Sequence, residues 1–411
     1  MTAAGRWLAA VTEAAVAVCL GAPARAPARA TGPPALDARA AALVDAGSGQ
    51  LLYAYRAGRP VAIASTTKLM TALLTLEHVH NLRTVFTQNN YRSAAVDSQL
   101  GLTPGQRMTV HDLVLAMLLP SADDAAEDLA YNVGRGSVGR FIAMMNARAR
   151  RLGLRHTHYS TPIGLDTPGN YSSAADLAIL TRYLFERQPF FARAVALPAA
   201  SLSTGPLRRV VNRNDLVGRV PWITGVKTGH TLDAGYVLIG SGTKHGMTLI
   251  APVLGTPSEA LRDQSALSLL RWGFANFVTR EPVVGGTVVA RPSVKDQSPL
   301  HAVVIAQGSF RRVFARSSVV RTRVLVPSRL DGPLPRGALV GHVLVTADGR
   351  TITRIPLVLA RALPAVSPVT QAVAFIGRPF TLLVAVLLLA AAVATATTRR
   401  QRIRATARGR R

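Results

Sequence analysis

The alternation of apolar and polar residues predicts strands and helices along most of the chain. The segment AALVDAGSGQLLYAY alternates on both sides of a Gly-Ser-Gly turn, which is typical of a strand hairpin. From Thr66 to Glu77, apolar residues recur at i, i+3 and i+4 and predict a helix with Ser65 at its start. Further helices are predicted in HDLVLAMLL, SADDAAEDLAYNV, VGRFIAMMNARARRLGL and SAADLAILTRYLFERQ.

Strands and a closing helix follow this helical block. The strands are VPWITGVKTG, AGYVLIGSGT and MTLIAPVLGT, and the helix is PSEALRDQSALSLLRWGFANF. Because strands come from both ends of the segment with helices between them, we expect one α/β unit with an antiparallel sheet over residues 36–280. Short β-branched strands over residues 281–363, with an Asp348-Gly349 hairpin turn, predict a separate small all-β domain.

An uncharged stretch near the C-terminus predicts one transmembrane helix. It covers residues 379–398, follows a linker at 364–378, and has about the 20 residues that cross a bilayer core. The basic tail at 399–411 contains Arg399, Arg400, Arg402, Arg404, Arg408, Arg410 and Arg411. Positive residues beside a span stay cytoplasmic, so we expect a single-pass protein of the cell membrane whose preceding domains are extracytoplasmic.

The N-terminus has the pattern of a signal peptide. A mostly apolar stretch from Trp7 to Leu20 follows Arg6, and small residues after it fit an A-x-A cleavage site, which assigns residues 1–30 to the signal peptide. Cys19, the only cysteine, falls inside this segment. The mature protein would therefore have no disulfide and no thiol chemistry.

The charge of the chain is strongly positive. The formal net charge is +27, which raises the question of a polyanionic partner. An aromatic content of 5% and the export pattern argue against nucleic acid, so we expect no nucleic-acid partner. Teichoic-acid-like polymers or anionic lipid headgroups fit better, and a compositional bias towards arginine is the simplest explanation.

That bias makes the few lysines informative. Of 48 basic residues, the only lysines are Lys68, Lys227, Lys244 and Lys295. Ser65 and Lys68 form an S-x-x-K motif on one face of a predicted helix. Ser65 could be a helix cap only. A base that removes the serine proton, however, can be lysine and cannot be arginine, which stays protonated.

Two further motifs could complete such a site. The K-T-G of Lys227, Thr228 and Gly229 lies on a predicted strand, where Lys227 near Lys68 would disfavour a second positive charge and the glycine would let a substrate backbone approach. Ser121 begins an S-x-D motif and could relay a proton. Taken alone, however, Ser121 with Asp124 is better explained as a capping box.

In this order the three motifs are typical of penicillin-binding proteins and class A β-lactamases. The chain resembles the low-molecular-mass D-alanyl-D-alanine carboxypeptidases of penicillin-binding protein 5 type, serine peptidase family S11, over roughly residues 36–398. The matching stretches are ASTTKLMTALL, GLRHTHYSTPIGLD, GVKTGHTLDAGY and SEALRDQSALSLL. The resemblance implies a penicillin-binding-protein/β-lactamase-like α/β fold, in which helices flank an antiparallel sheet.

The resemblance also implies roles for the matching residues. Ser65 would attack the terminal D-Ala-D-Ala bond of peptidoglycan stem pentapeptides, with Lys68 as base and Ser121 as proton relay. Substrate-binding residues would be Asp123, Lys227, Thr228, Gly229, His230 and Arg262. Among them, Thr228 and Arg262 would hold the terminal carboxylate, and the backbone N–H groups of Ser65 and His230 would form the oxyanion hole. β-Lactam antibiotics would be covalent inhibitors.

Three positions depart from the family pattern. Asp123 stands where the family has asparagine, so this carboxyl is protonated, faces the substrate, or reduces activity by stabilising the charged form of Lys68. Ile63 replaces a proline and Thr161 an asparagine. A catalytically weakened cell-wall scaffolding protein is therefore one alternative. A β-lactamase or transpeptidase is another, although residues 153–176 contain no glutamate for a β-lactamase.

The sequence predicts no metal and no cofactor. His78 and His80, like His156 and His158, form H-x-H pairs, but no third ligand at a typical spacing accompanies them.

Overall fold

A central five-stranded sheet joins the two ends of the first domain. The computed structural model describes residues 32–92, 98–366 and 379–408, so the predicted signal peptide, most of the predicted linker and the last three residues lie outside the described residues. The central strands are β1 (Ala40–Asp45), β2 (Leu51–Tyr55), β7 (Ile223–Thr231), β8 (Gly235–Lys244) and β9 (Met247–Thr256). Their order is β2-β1-β9-β8-β7, with antiparallel neighbours throughout. The predicted antiparallel sheet is confirmed.

Helices and two small hairpins fill the chain between β2 and β7. The helices are α1 (Lys68–His78), α2 (Val110–Leu118), α3 (Asp123–Val133), α4 (Val138–Arg151), α5 (Ala174–Arg187) and α6 (Pro189–Val195). The hairpins pair β3 (Val85–Thr87) with β4 (Arg107–Thr109), and β5 (Ala199–Ser201) with β6 (Arg209–Val211). The short helix α6 was not predicted from the sequence.

Both faces of the central sheet are covered. Successive side chains on a strand point to opposite faces, and in β8 Ile239 packs into the core under α1–α6 while Leu238 packs into the core under α7 (Glu259–Asn276). Both residues are fully buried. The continuous apolar runs of β8 and β9 are explained by this burial on two sides.

The start of the first predicted helix differs from the expectation. Residues Ala64–Thr67 form a 3₁₀ turn, here called the serine turn, and the α-helix begins only at Lys68. No side chain caps either element, so the alternative in which Ser65 serves as a helix cap is wrong. A 3₁₀ turn brings side chains at i and i+3 into line, which places Lys68 directly beside Ser65.

A smaller β region with its own core follows α7. Its strands are β10 (Phe277–Val283), β11 (Val288–Ala290), β12 (Ser293–Val294), β13 (Val304–Ala306), β14 (Phe310–Ala315), β15 (Val320–Leu325), β16 (Arg329–Leu330), β17 (Leu339–Ala347) and β18 (Arg350–Leu359). The main sheet has the order β11-β13-β18-β17-β15, and β10 pairs with β14. Asp348 and Gly349 form the predicted turn between β17 and β18, with φ angles of 50° and 80°.

The last described segment is α8 (Pro379–Arg408). Within it, Leu382–Gln401 is long and apolar enough to cross a membrane, judged by length and composition, and none of it is buried against the rest of the protein.

Candidate active site

The serine turn brings Ser65 and Lys68 into direct contact. Lys68 Nζ lies 2.9 Å from Ser65 Oγ in hydrogen-bonding geometry. The lysine is fully buried, whereas the serine is half-buried and open to a substrate from one side. Ala64, next to the serine, has a φ of 48°, an uncommon conformation for a residue with a side chain. Backbone strain of this kind is often found at functional sites.

A neighbouring loop fixes the serine turn from the side. Gly164 has a φ of 95°, and a Cβ built there would lie only 2.0 Å from the carbonyl oxygen of Ala64. Glycine is therefore required for this close approach. The same loop supplies the carbonyl oxygen of Ile163, which accepts a hydrogen bond from Lys68 Nζ at 2.8 Å. The sequence analysis missed Ile163 because a backbone carbonyl has no side-chain signal.

Asp123 provides a third acceptor for the lysine. Its Oδ1 lies 2.5 Å from Lys68 Nζ, and its Oδ2 accepts the backbone N–H of Ser98 at 3.1 Å. A lysine ammonium has three N–H donors, and the acceptors at Ser65, Asp123 and Ile163 match them in number. The contacts that the structure gives this buried carboxylate are thus to the lysine and to a loop, and its role in substrate binding stays a prediction.

Ser121 is not a helix cap. Helix α3 begins at Asp123 with Ala122 at the N-cap position and no side-chain cap, so the capping box of Ser121 and Asp124 is wrong. The carboxylate of Asp124 instead accepts backbone N–H groups of Leu100, Gly101 and Leu102. Ser121 has a φ of 71°, and its buried Oγ has no hydrogen-bond partner in the described part of the chain. An unsatisfied buried hydroxyl on a strained backbone needs a functional explanation.

The K-T-G strand packs directly against the serine turn. Strand β7 is an edge strand of the central sheet. A Cβ on Gly229 would lie 2.9 Å from the backbone nitrogen of Ser65 and 2.9 Å from Ala64 Cβ, so the glycine lets the strand and the turn approach each other. The next residue, His230, is exposed and stacks on Tyr236 of β8, with ring centroids 4.0 Å apart. Tyr236 was another residue that the sequence analysis missed.

Lys227 is buried close to the catalytic lysine candidate. Its Nζ donates to the carbonyl oxygen of Thr228 at 3.0 Å, and 1% of the residue is exposed. Burial, followed by the positive charges of Lys68 and Arg213, holds the pKa of Lys227 well below its ordinary value. The expected repulsion between the two lysines is therefore present. Thr228 is also buried, at the side of Lys227.

Two arginines add to the positive potential around Lys227. Arg262 on α7 is buried; its Nε donates to Asp263 Oδ1 at 2.8 Å, and its Nη2 lies 2.8 Å from Glu259 Oε1. Both Arg262 and the exposed Arg213 lower the pKa of Lys227. The part of Arg262 in holding a carboxylate stays a prediction. Arg213 gave no sequence signal, because arginine is common throughout this chain.

No metal centre is found in residues 32–92, 98–366 and 379–408: no three His, Cys, Asp or Glu side chains lie together in a group that could hold a metal ion.

Comparison with known proteins identifies the family. The family model described as D-alanyl-D-alanine carboxypeptidase, peptidase S11, matches residues 27–258. The D-alanyl-D-alanine carboxypeptidase DacA of Haemophilus influenzae is 31% identical over 338 residues, which are 78% of this chain and 84% of DacA. DacC of Escherichia coli is also 31% identical, over 79% of this chain and 84% of DacC. The chain belongs to the S11 family of D-alanyl-D-alanine carboxypeptidases.

Solved structures agree with this assignment. Penicillin-binding protein 5 from Haemophilus influenzae has a TM-score of 0.66 at 28% identity, covering 81% of this chain and 99% of that protein. The Streptomyces K15 DD-transpeptidase has a TM-score of 0.56 at 32% identity, covering 60% of this chain and all of that one. The predicted penicillin-binding-protein fold is confirmed.

Proposed function

We propose that this chain is a penicillin-binding D-alanyl-D-alanine carboxypeptidase that removes the terminal D-alanine from peptidoglycan stem pentapeptides. The observation that carries the proposal is the 2.9 Å contact between Lys68 Nζ and Ser65 Oγ, in a chain that belongs to the S11 family. A lysine held at this distance can take the serine proton, provided that its amine is neutral when the substrate is bound.

The reaction proceeds through an acyl-enzyme. Ser65 Oγ attacks the carbonyl carbon of the terminal peptide bond while its proton moves to Lys68 Nζ. The bond from carbon to nitrogen then breaks, and D-alanine leaves after its nitrogen receives a proton through Ser121. Water attacks the Ser65 ester in the second half, releasing the shortened peptide and restoring the serine. A β-lactam would form the same ester and hydrolyse slowly.

The open edge of β7 is suited to hold the substrate. An extended peptide can add to an edge strand through backbone hydrogen bonds, and β7 is the edge strand next to Ser65. The N–H groups of Ser65 and His230 would stabilise the oxyanion, each by about 3 kcal/mol in the transition state. The hydroxyl of Thr228 and the positive charges of Lys227 and Arg262 would favour the substrate's terminal carboxylate.

We further propose that α8 anchors the protein in the cell membrane, with the basic tail in the cytoplasm and residues 36–363 outside. The length and apolar composition of Leu382–Gln401 support this placement. In this arrangement residues 36–280 are the catalytic domain, and the β domain at 281–363 is a spacer that raises the active site from the membrane towards the cell wall.

A second candidate function follows from one contact. The Asp123 carboxylate beside Lys68 Nζ favours the charged lysine over the free amine. A protein in which this ion pair persists would bind cell-wall peptides and penicillin weakly and hydrolyse them slowly. It would then be a cell-wall scaffolding protein.

Two measurements on the full-length protein test the proposal. The first is release of D-alanine from a stem pentapeptide, and the second is covalent labelling with a fluorescent penicillin; Ser65→Ala serves as the control for both. We expect release and labelling by the wild type and neither by Ser65→Ala. Labelling without release would favour the scaffolding function, an unlabelled wild type would exclude an acyl-enzyme, and rapid turnover of penicillin would indicate a β-lactamase.

A further inference from the structure

A second concave site lies at the far end of the central sheet, where the first domain meets the β domain. It is a cavity of about 930 Å³, here called the junction cavity. The turn between β1 and β2, helices α5 and α6, the turn between β8 and β9, and strand β14 form its walls. Its volume is in the range of small-ligand sites in proteins.

The junction cavity carries more positive than negative charge. Four arginines line it: Arg182, Arg193, Arg311 and Arg312. The carboxylates in its lining are Asp45 and Glu186. Asp45 already accepts the backbone N–H and the hydroxyl of Ser48, at 2.8 and 2.6 Å. The cavity therefore has a surplus of two positive charges, and part of its negative charge is turned to its own turn.

Neutral oxygens orient the arginines without cancelling their charge. Arg182 Nε donates to the carbonyl oxygen of Ala46 at 3.0 Å. Arg311 Nη2 donates to the carbonyl oxygen of Gly246 at 3.2 Å, and Arg312 Nε donates to Gln50 Oε1 at 2.9 Å. A guanidinium has five N–H donors, so each of these hydrogen bonds leaves donors for a ligand. Fixed, charged forks of this kind bind phosphate and carboxylate oxygens well.

Hydroxyl groups complete the polar lining. Thr224, Thr248 and Thr279 come from three different strands and line the same cavity. Hydroxyls donate to phosphate oxygens as readily as to each other. Arginine forks combined with hydroxyl donors, around a surplus of two positive charges, match a dianionic phosphate group or two neighbouring phosphodiesters better than a single carboxylate.

The junction cavity is separate from the acyl-transfer site. Thr224 lines the cavity and Gly229 contacts the serine turn, and both lie on β7. Five residues of extended strand span about 16 Å. A phosphate ligand in the cavity would thus leave Ser65 accessible. It would also bridge the two domains, because Arg182 and Arg193 belong to the first domain and Arg311 and Arg312 to the β domain.

We infer that the junction cavity binds phosphate groups, supplied either by a phosphate-containing wall polymer or by anionic lipid headgroups. The test is titration of the purified full-length protein, in non-ionic detergent at constant ionic strength, with inorganic phosphate. The key variant is Arg193→Gln/Arg311→Gln. The matched control, Arg151→Gln/Arg321→Gln, removes two exposed arginines from the same two domains away from the cavity.

We expect saturable phosphate binding whose Kd rises about tenfold for each cavity arginine removed, since hydrogen bonds to charged groups contribute about one factor of ten each. In the control variant the Kd should change by less than about threefold. Release of D-alanine should be unchanged in both variants. If the double variant proves unstable on heating, Arg193→Gln alone, which removes an exposed side chain, should still raise the Kd about tenfold.

The source of the phosphate is tested in two further arms. One adds poly(glycerol phosphate), and the other places the protein in phosphatidylcholine nanodiscs with or without phosphatidylglycerol. Binding that depends on Arg193 and Arg311 in the first arm identifies a wall polymer, and in the second a lipid headgroup. The inference is wrong if phosphate does not saturate, if the Kd of the double variant is unchanged, or if both variants weaken binding equally.

Discussion

The lysine pair beside the serine turn and the arginines of the junction cavity are both positively charged, but they are built differently. Lys68 is 0% and Lys227 1% exposed, and Lys68 donates to a serine and to a carboxylate. The cavity arginines are partly open to solvent and three of them donate to neutral oxygens. Lysine can release its proton when it is buried near another cation, whereas arginine cannot. The difference indicates proton transfer at one end of the sheet and permanent charge at the other.

The remaining lysines support this division. Lys244 Nζ lies 4.7 Å from the ring centroid of Trp222, and Lys295 Nζ lies 3.5 Å from an Asp331 carboxylate oxygen near the surface. Neither is near Ser65 in sequence motif or in contact. A chain that uses arginine at 44 positions thus buries two of its four lysines at the serine.

The largest expected effect comes from making the lysine site resemble the arginine site. Lys68→Arg keeps a positive charge at the serine but removes the only side chain that can accept its proton. We expect kcat/KM for D-alanine release to fall about 10³-fold, within the usual range for loss of a general base. Lys244→Arg, at a lysine that packs on an aromatic ring, should leave the rate within about threefold of wild type. Normal activity of Lys68→Arg would disprove the assignment of the base.

Ser121→Ala separates a catalytic hydroxyl from a structural one. Ser121 Oγ has no hydrogen-bond partner to lose among the described residues, so Tm should not fall. We expect D-alanine release to slow about 10²-fold, because proton delivery to the leaving nitrogen is impaired. Ser173→Ala is the matched control: Ser173 Oγ caps α5 by accepting the N–H of Asp176, so its loss should cost about 1 kcal/mol of stability and leave the rate unchanged. The opposite pattern would make Ser121 a structural residue.

Asp123→Asn tests whether the ion pair restrains the lysine. Asparagine keeps the size of the side chain but removes the charge that stabilises the ammonium form of Lys68. We expect acylation by penicillin at least as fast as in wild type, and up to about tenfold faster, measured as the second-order labelling rate. Asp124→Asn, which alters a carboxylate that binds the Leu100–Leu102 loop, should lower Tm without accelerating labelling. A large loss of labelling in Asp123→Asn would mean that the carboxylate has a positive catalytic role.

Most of the fold was predictable because strand alternation and helical periodicity report burial directly. The failures occurred where tertiary contacts override local signals. Ser65 and Ser121 both look like helix caps in sequence, yet one lies in a 3₁₀ turn and the other has a φ of 71°. The turn is shaped by Gly164, which is distant in sequence and in contact with Ala64.

The candidate site was predictable to the extent that its residues were unusual for this chain. Two lysines among many arginines stood out, and so did the three motifs in order. The carbonyl oxygen of Ile163 and the charge of Arg213 did not, because the first is a backbone atom and the second is one of the commonest residues here. Asp123 was noticed as a departure, but its contact with Lys68 depends on the packing of α3 against α1.

The smallest effect concerns stability, and it tests whether the catalytic end is also where the protein responds to pH. Asp128 on α3 is 1% exposed, and burial raises its pKa to about 7, although hydrogen bonds from Asn89 and Asn132 act in the opposite direction. Because the folded pKa lies above the ordinary value of 3.8, the folded protein retains a proton that the unfolded chain has already released between these values. The free energy of unfolding therefore decreases as the pH rises through this window.

Asp128→Asn removes that proton equilibrium while keeping an oxygen that can accept the Asn132 side-chain N–H, which donates to Asp128 Oδ1 at 2.9 Å. The variant should match wild type in Tm near pH 4 and exceed it at pH 8, by an amount on the order of 3 kcal/mol, which is the value of a shift of about three pKa units. Asp331→Asn, at an exposed carboxylate of the β domain, should leave the pH profile of Tm unchanged. Equal Tm curves for Asp128→Asn and wild type at pH 8 would show that this carboxyl is not protonated in the folded protein, and the pH response would then have to be sought elsewhere than in α3.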